Sequence, residues 1–221
     1  MNQVIGELLP LAVGVAVSPI PIIAVILMLL APKAGGTSFG FLVGWVVGIV
    51  VATTVFLVLA DTQDLGTSGD PSSTSSTIKL VLGILVLFAG VRQWRGRPRA
   101  GAEPVMPKWM AAIDSFTAVK ALGLGFVLAA VNPKNLLLCA AAGTALAQAD
   151  LSTGDDAVVI AVFTAIAAAT VAIPVLGYAV ARRRMAGPLA ELKAWLTVHN
   201  AAVMSVLLVV IGAVLVGKGM A

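Results

Sequence analysis

The stretch "LAAVNPKNLLLCAAAG", residues 128–143, sets Asn132, Pro133, Lys134 and Asn135 in the middle of an apolar run. Its flanks are typical of a membrane-spanning helix, but its centre is not. A proline removes a backbone hydrogen bond, and a lysine near the bilayer centre costs at least about 2.5–3.5 kcal/mol on insertion scales. A kink for packing requires a proline but no lysine, so this stretch predicts a broken helix that carries a functional site.

The composition places the whole chain in a membrane. The sequence is 60% hydrophobic and 11% charged, whereas soluble domains contain about 25% charged residues. We predict an all-α integral membrane protein with six spans, at about 5–30, 38–60, 78–94, 119–147, 157–181 and 200–217. The third span is the weakest, because its uncharged core, 80–91, is short for a hydrocarbon layer of about 30 Å.

The connecting segments alternate in charge. Segments 61–77 and 148–156 contain aspartate but no lysine or arginine, whereas turn 31–37 and segments 92–118 and 182–199 are basic. The positive-inside rule therefore places the three basic segments in the cytoplasm. We predict a multi-pass plasma-membrane protein with both termini on the extracytoplasmic side.

An internal repeat relates the two halves of the chain. Aligning Pro19 with Pro133 pairs "SPIP" in the first span with "NPKN" in the fourth, and each is followed by two further spans. Three spans are an odd number, so the second copy must be inverted, a pattern of secondary transporters with broken helices. For "SPIP" alone, a packing kink explains the prolines equally well. We predict one transmembrane domain over 1–221, with repeats at about 1–95 and 119–221 and a cytoplasmic connector at about 92–118.

Two stretches near the cytoplasmic side are amphipathic. Apolar residues recur at helical spacing in "PKWMAAIDSFTAVKALG" (Trp109, Met110, Ile113, Phe116) and in "GPLAELKAWLTVHN" (Leu189, Leu192, Trp195, Leu196). We predict amphipathic interfacial helices before the fourth and sixth spans. A structural connector is favoured over a lipid-substrate contact, since Trp and Arg are usual interfacial anchors.

Three chemical roles fit Lys134. As a cation it could bind the phosphate, sulfate or carboxylate of an anionic substrate. As a desolvated amine it could carry a coupling proton. It could also hold carbonyls that the broken helix leaves exposed, which is a structural role. At the predicted start of the last span, His199 is explained either as an interfacial hydrogen-bonding residue or as a proton or substrate group.

Several functional classes are excluded by the residues present. Cys139 is the one cysteine, so neither an internal disulfide nor a zinc site with several thiolates can form. The sequence offers no nucleophile–base pair, carboxylate pair or metal-binding cluster at a useful spacing. We therefore expect no enzyme activity, no cofactor, no bound metal and no nucleic-acid partner.

Four stretches resemble the Gap-like or Sap family, the glycopeptidolipid- and sulfolipid-addressing proteins of the LysE transporter superfamily. They are "SPIPIIAVILMLLAPKA", "FLVGWVVG", "PKWMAAIDSFTAVKALGLGFVLAAVNPKNLLLCAAAG" and "WLTVHN", in the family's order. The resemblance implies a six-span envelope protein that takes part in glycolipid export. The family's recognisable positions are Ser18, Pro19, Pro21, Asn132, Pro133, Lys134, Asn135, His199 and Asn200, which we take as candidates for substrate binding or coupling.

These observations lead to one functional expectation and two alternatives. The chain is expected to export or flip an envelope (glyco)lipid or a related anionic amphiphile across the plasma membrane. It could instead be a LysE-like exporter of a small solute, or a non-transporting accessory or scaffold protein of a larger lipid-export or synthesis complex. A homo-oligomer is also open, since the small-residue face at Gly44 and Gly48 can pack helices within one chain or between chains. Electron carriers of the same superfamily are excluded, since Ser18 and Asn132 stand where they need cysteines.

Overall fold

The computed structural model describes residues 1–62, 73–96 and 108–220, and every regular element in these ranges is helical. This confirms the all-α class. The elements are α1 (Asn2–Ala16), α2 (Pro19–Leu30), α3 (Ala34–Thr62), α4 (Ser73–Arg95), a 3₁₀ helix (Lys108–Ser115), α5 (Ala118–Ala130), α6 (Pro133–Ala147) and α7 (Thr153–Met220).

Both predicted helix breaks are present. The axes of α1 and α2 differ by 54°, and those of α5 and α6 by 62°. Pro19 and Pro133 each open the second helix of a pair, where the fixed φ of proline suits the first turn and its missing N–H costs nothing. The same ring disfavours a helical conformation of the residue before it, which favours ending α1 and α5 just before these prolines.

The helices are compatible with a multi-pass membrane protein. Three segments are long and apolar enough to cross a membrane: Ala34–Asp61, Thr153–Arg182 and Arg184–Gly217. Counting each bent pair as one span raises the number to five. The predicted third span corresponds to α4, which does not meet the same criterion, so a sixth crossing stays a prediction.

Glycines bring α3 into close parallel contact with α5 and α6. A Cβ on Gly44 would collide with the carbonyl oxygen of Leu122, and one on Gly48 would lie 2.7 Å from the Cβ of Ala129. Further along, a Cβ on Gly143 of α6 would lie 2.6 Å from the carbonyl oxygen of Thr53. The small-residue face of α3 is therefore used for packing within the chain.

Two glycines of α4 make a similar contact with the last part of α7, in the opposite direction. A Cβ on Gly83 would lie 2.7 Å from the backbone nitrogen of Val216, and one on Gly90 would lie 3.0 Å from that of Val209. The position along α7 falls as the position along α4 rises. These two helices are therefore antiparallel.

A bend divides α7 at the predicted end of the fifth span, 157–181. Ala181 leaves the helical region (φ −135°, ψ 47°), and one continuous helix then runs from Arg184 to Gly217. The predicted separate interfacial helix before the last span is instead the first part of this helix. The physical reason is local, because residues 189–211 contain neither glycine nor proline.

The other predicted interfacial helix is a short 3₁₀ helix packed into the bundle. Met110 and Ile113, one 3₁₀ turn apart, are both buried in the main hydrophobic core. This packing favours the structural connector over an exposed lipid-binding face. The side chain of Trp109 and segments 63–72 and 97–107 lie outside the described residues.

The charged residues separate towards the two ends of α3. Turn 32–37, residues 116–118 and Arg182 line one cavity at the start of α3. At the other end, Asp61 lies close enough to Asp156 for their charges to interact. Residues from each of the three basic segments thus meet at one end, as their common cytoplasmic assignment requires. Which end faces the cytoplasm stays a prediction.

Candidate functional site

The two helix breaks face each other inside the bundle. Val17 and Ser18, between α1 and α2, contact Lys134 and Asn135 in the first turn of α6. One turn away, a Cβ on Gly14 would lie 3.1 Å from the side chain of Leu138. The numbering rises along α6 as it falls along α1, so these helices are antiparallel at the contact.

Lys134 is the centre of the contact. Its side chain is 8% exposed, and its Nζ donates to Ser18 Oγ at 2.7 Å and more weakly to the carbonyl oxygen of Val17 at 3.4 Å. Both partners are neutral oxygens. An ammonium carries three donors, so these bonds leave one N–H for a ligand and leave the positive charge without a described counter-ion.

Ser18 and Asn135 extend the hydrogen-bond network. The Ser18 hydroxyl accepts from Lys134 and donates to Asn135 Oδ1 at 3.2 Å, and Asn135 Nδ2 donates to the carbonyl oxygen of Leu128 at 2.9 Å. Ser18 and Asn135 are 3% and 0% exposed. The network is therefore closed to solvent in this conformation.

The backbone around the breaks explains why these polar residues are needed. Where a helix stops inside a membrane, its last carbonyls lose their partners, and each must be satisfied by protein or water. Thr170 of α7 donates to the carbonyl oxygen of Ala16 at 2.5 Å. Lys134 donates to the carbonyl oxygen of Val17, and Asn135 donates to that of Leu128. On the donor side, Asn132 Oδ1 caps α6 by accepting from the backbone nitrogen of Lys134 at 3.1 Å.

The electrostatics of this arrangement favour an anion. The amino-terminal ends of α2 and α6 both lie at the breaks, and a helix amino terminus carries a partial positive charge. In its protonated form, Lys134 adds a full charge in the first turn of α6. Half-helix amino termini directed at anionic substrate groups are a known feature of transporters with broken helices. The site is thus suited to a sulfate, phosphate or carboxylate group.

The nine predicted site residues separate into three groups. Ser18, Lys134 and Asn135 form the network described above. The breaks themselves are set by Asn132 together with the three prolines, of which Pro19 and Pro21 are buried and Pro133 is exposed. The last group, His199 and Asn200, makes no described contact with the network.

His199 and Asn200 lie within the second part of α7. The His199 ring is exposed, stacks on Trp195 with 4.6 Å between ring centroids, and its Nδ1 lies 2.8 Å from the Trp195 carbonyl oxygen. Asn200 Oδ1 is buried and has no hydrogen-bond partner in the described part of the chain. A role for either residue in transport stays a prediction.

Thr170 is not among the predicted site residues. It is a single hydroxyl in an apolar span, and such hydroxyls commonly bond to their own helix. Only the packing of α7 against α1 directs it to Ala16. Within the described ranges, no group of three or more His, Cys, Asp or Glu side chains is arranged to hold a metal ion.

The sequence matches a known protein family over most of its length. A model of the family described as "Sap, sulfolipid-1-addressing protein" matches residues 8–221. Neither the curated proteins nor the solved structures gave a match to the chain.

Proposed function

The chain belongs to the Sap, sulfolipid-1-addressing protein, family, and we propose that it is a transporter that exports or flips an envelope lipid across the plasma membrane. The proposed substrate is a glycolipid or related amphiphile with an anionic head group. It moves from the inner leaflet outward, and no enzymatic step takes place.

The observation that carries this proposal is the buried lysine side chain of Lys134 where the two broken helices meet. Its two hydrogen-bond partners are neutral, so the free energy of keeping a cation there is only partly recovered within the chain. An anionic head group would supply the missing counter-charge. The two helix amino termini beside it would favour the same ligand.

The proposed mechanism is alternating access through the two inverted three-helix repeats. The site is closed in this conformation, so a substrate can enter only if the α1–α2 break and the α5–α6 break move apart. Opening would cost the bonds from Ser18 to Lys134 and Asn135, and the oxygens of the bound head group would replace them. Closing on the other side would restore the bonds and release the lipid outward.

One observation favours a second candidate function. Lys134 and Asn135 also bond to carbonyls freed by the breaks, which is what a purely structural role requires. In that case the chain would be an accessory protein of a larger lipid-export complex. The small-solute exporter remains a further transport alternative, and it predicts solute movement into vesicles that contain no special lipid.

The test is lipid profiling of the outer envelope in cells that lack this protein and receive either the wild type or a variant. Lys134→Met keeps an apolar chain of similar length and removes the charge, while Lys120→Met removes an exposed charge at the start of α5. We expect one anionic lipid class to disappear from the outer envelope and accumulate inside in cells with no protein and in cells with Lys134→Met. Wild type and Lys120→Met should restore it.

The decisive comparison is between variants present at equal levels in the membrane. If Lys134→Met restores the outer lipid as well as wild type, the transport role of this site is wrong. The accessory function would then gain, particularly if changes in segment 92–118 abolish export instead.

A further inference from the structure

A second basic site lies at the end of the bundle where the three basic segments meet. An open cavity of about 480 Å³ is lined by turn 32–37, by residues 116–118 and by Arg182. This volume falls within the range of about 300–1,000 Å³ found for small-molecule sites. The cavity is separate from the network around Lys134, since the two share no residue.

Two cations from different parts of the chain line this cavity. Lys33 comes from the turn between α2 and α3, and Arg182 from the bend of α7, and both side chains are exposed. The other lining residues are neutral: Pro32, Ala34, Gly35, Gly36, Thr37, Phe116, Thr117 and Ala118. The described wall of the cavity therefore carries two positive charges and no negative one.

The arginine is held in position before any ligand binds. Its Nε donates to the hydroxyl of Tyr178 at 3.0 Å, and its guanidinium carbon lies 5.5 Å from the centroid of the tyrosine ring. Within the described part of the chain only Nε is used, so the terminal N–H groups remain available for two oxygens of one anion. Orienting Arg182 in this way lowers the entropy lost when an anion binds.

The rest of the lining suits an anion attached to a chain or sugar better than a bare inorganic anion. Gly35 and Gly36 leave the backbone at the start of α3 accessible, and an ideal Cβ on Gly35 would meet nothing within 4 Å. Phe116 adds an apolar wall beside Thr117, whose hydroxyl caps α5. Charge, hydroxyl and apolar surface thus adjoin, as they do in the head group of an amphiphile.

We propose that this cavity binds the sulfate or phosphate group of a lipid head group in the leaflet on that side of the membrane. The proposal rests on the proposed function in one respect only, namely that the bound lipid then moves to the site at Lys134. It adds a substrate-receiving site, with Lys33 and Arg182 as the residues that recognise the anion.

The test is direct binding in detergent, measured with fluorescent short-chain lipids. The probes are a sulfated galactosylceramide, a phosphatidic acid and uncharged galactosylceramide with the same tail and dye, with inorganic sulfate as competitor. We expect Lys33→Gln and Arg182→Gln each to weaken binding of the two anionic probes by about 5- to 10-fold and to leave the uncharged probe unchanged. Lys120→Gln, a charge loss on α5 outside the cavity lining, should stay within twofold of wild type.

The variants must first elute as the same monodisperse species as wild type. Arg182→Lys keeps the charge and should recover part of the binding if charge is what matters. The proposal is wrong if the double variant Lys33→Gln/Arg182→Gln binds the anionic probes as tightly as wild type. It is also wrong if inorganic sulfate binds with the affinity of the sulfated lipid, since the cavity would then hold free anions.

Failure of this proposal is distinct from failure of the transport function. Loss of export in Lys134→Met together with unchanged binding in the double variant would reject only the receiving site. Normal export in Lys134→Met together with weakened binding in the double variant would reject only the transport role of the central site.

Discussion

A double-mutant cycle between Ser18 and Lys134 would measure the contact on which the central site depends. The bond is short, at 2.7 Å, one partner is charged, and both side chains are at least nine-tenths buried. Hydrogen bonds to charged groups contribute about 1.5–3 kcal/mol in soluble proteins. In membrane proteins, interhelical cycles average about 0.6 kcal/mol and reach about 1.7, because the unfolded state in the membrane also finds partners. We therefore expect a coupling energy of about 1–2 kcal/mol.

The single variants should behave differently from each other. Ser18→Ala removes the bond to the ammonium and leaves Asn135 Oδ1 without its donor, so it should lower the free energy of unfolding by about 2–3 kcal/mol. In the Lys134→Met background the same change loses only a neutral bond, worth about 0.5–1.5 kcal/mol. Because Lys134→Met also removes a buried charge, it should cost little stability or increase it.

The assay is reversible unfolding in mixed micelles of a mild detergent and dodecyl sulfate, followed by tryptophan fluorescence. Trp45 is fully buried and reports the packing of α3. Ser38→Ala serves as the control, since in the described part of the chain its buried hydroxyl bonds only to carbonyls of α3. Its effect on the free energy of unfolding should add to that of Lys134→Met within about 0.5 kcal/mol. A Ser18–Lys134 coupling no larger than this control would contradict the contact and the site built on it.

Three further predictions concern packing, capping and orientation. Gly125→Ala should lower the free energy of unfolding by about 1–3 kcal/mol, because its Cβ would collide with the Phe41 carbonyl. Gly123→Ala, two residues away in open space, should be neutral or stabilising, and equal effects of the two variants would contradict the α3–α5 contact. Asn132→Ala should cost about 0.5–2 kcal/mol by removing the cap of α6, and Asn132→Ser should restore most of it; if the two variants unfold alike, the cap does not stabilise α6. In intact cells, a membrane-impermeant maleimide should label Thr153→Cys but not Asp114→Cys, and it should leave the buried Cys139 of the parent chain unreacted. Labelling of Asp114→Cys but not of Thr153→Cys would show that the predicted orientation is wrong.

The helix breaks could be predicted from the sequence because their cause is local. Pro19 and Pro133 disfavour a helical conformation of the residue before them and remove a backbone N–H from the preceding turn. The effect is not absolute, since Pro10 and Pro174 lie inside continuous helices. The cap at Asn132 follows from the same short-range chemistry. Such features need no knowledge of which helices are neighbours.

The partners across the site could not be predicted, because they depend on packing between distant segments. The repeat alignment pairs Ser18 with Asn132 and Pro21 with Asn135, but the described contacts join Ser18 to Lys134 and Asn135. A repeat alignment identifies residues that occupy equivalent positions in the two repeats. It does not identify residues that contact each other across the site. Thr170 escapes prediction for the same reason.

The helix after the bend of α7 shows a different limit of the sequence pattern. The amphipathic period of residues 189–196 correctly predicts a helix, but this helix does not end before Asn200, because it continues to Gly217. Residues 189–211 contain neither glycine nor proline, so the sequence itself indicates that the helix continues past Asn200. A polar pair such as His199 and Asn200 lowers helix propensity by less than about 1 kcal/mol per residue, which is too little to stop a helix packed on both sides of the pair.

The two basic sites lie too far apart to hold one head group at the same time. Thr170 touches the central break and Arg182 lines the cavity, and both belong to the first part of α7. Twelve residues along a helix span roughly 18 Å at about 1.5 Å per residue, more than half of a hydrocarbon core of about 30 Å. A lipid that uses both sites must therefore occupy them in sequence. Lys33 and Arg182 would then determine which lipid is taken up, while Lys134 would act on its passage through the membrane.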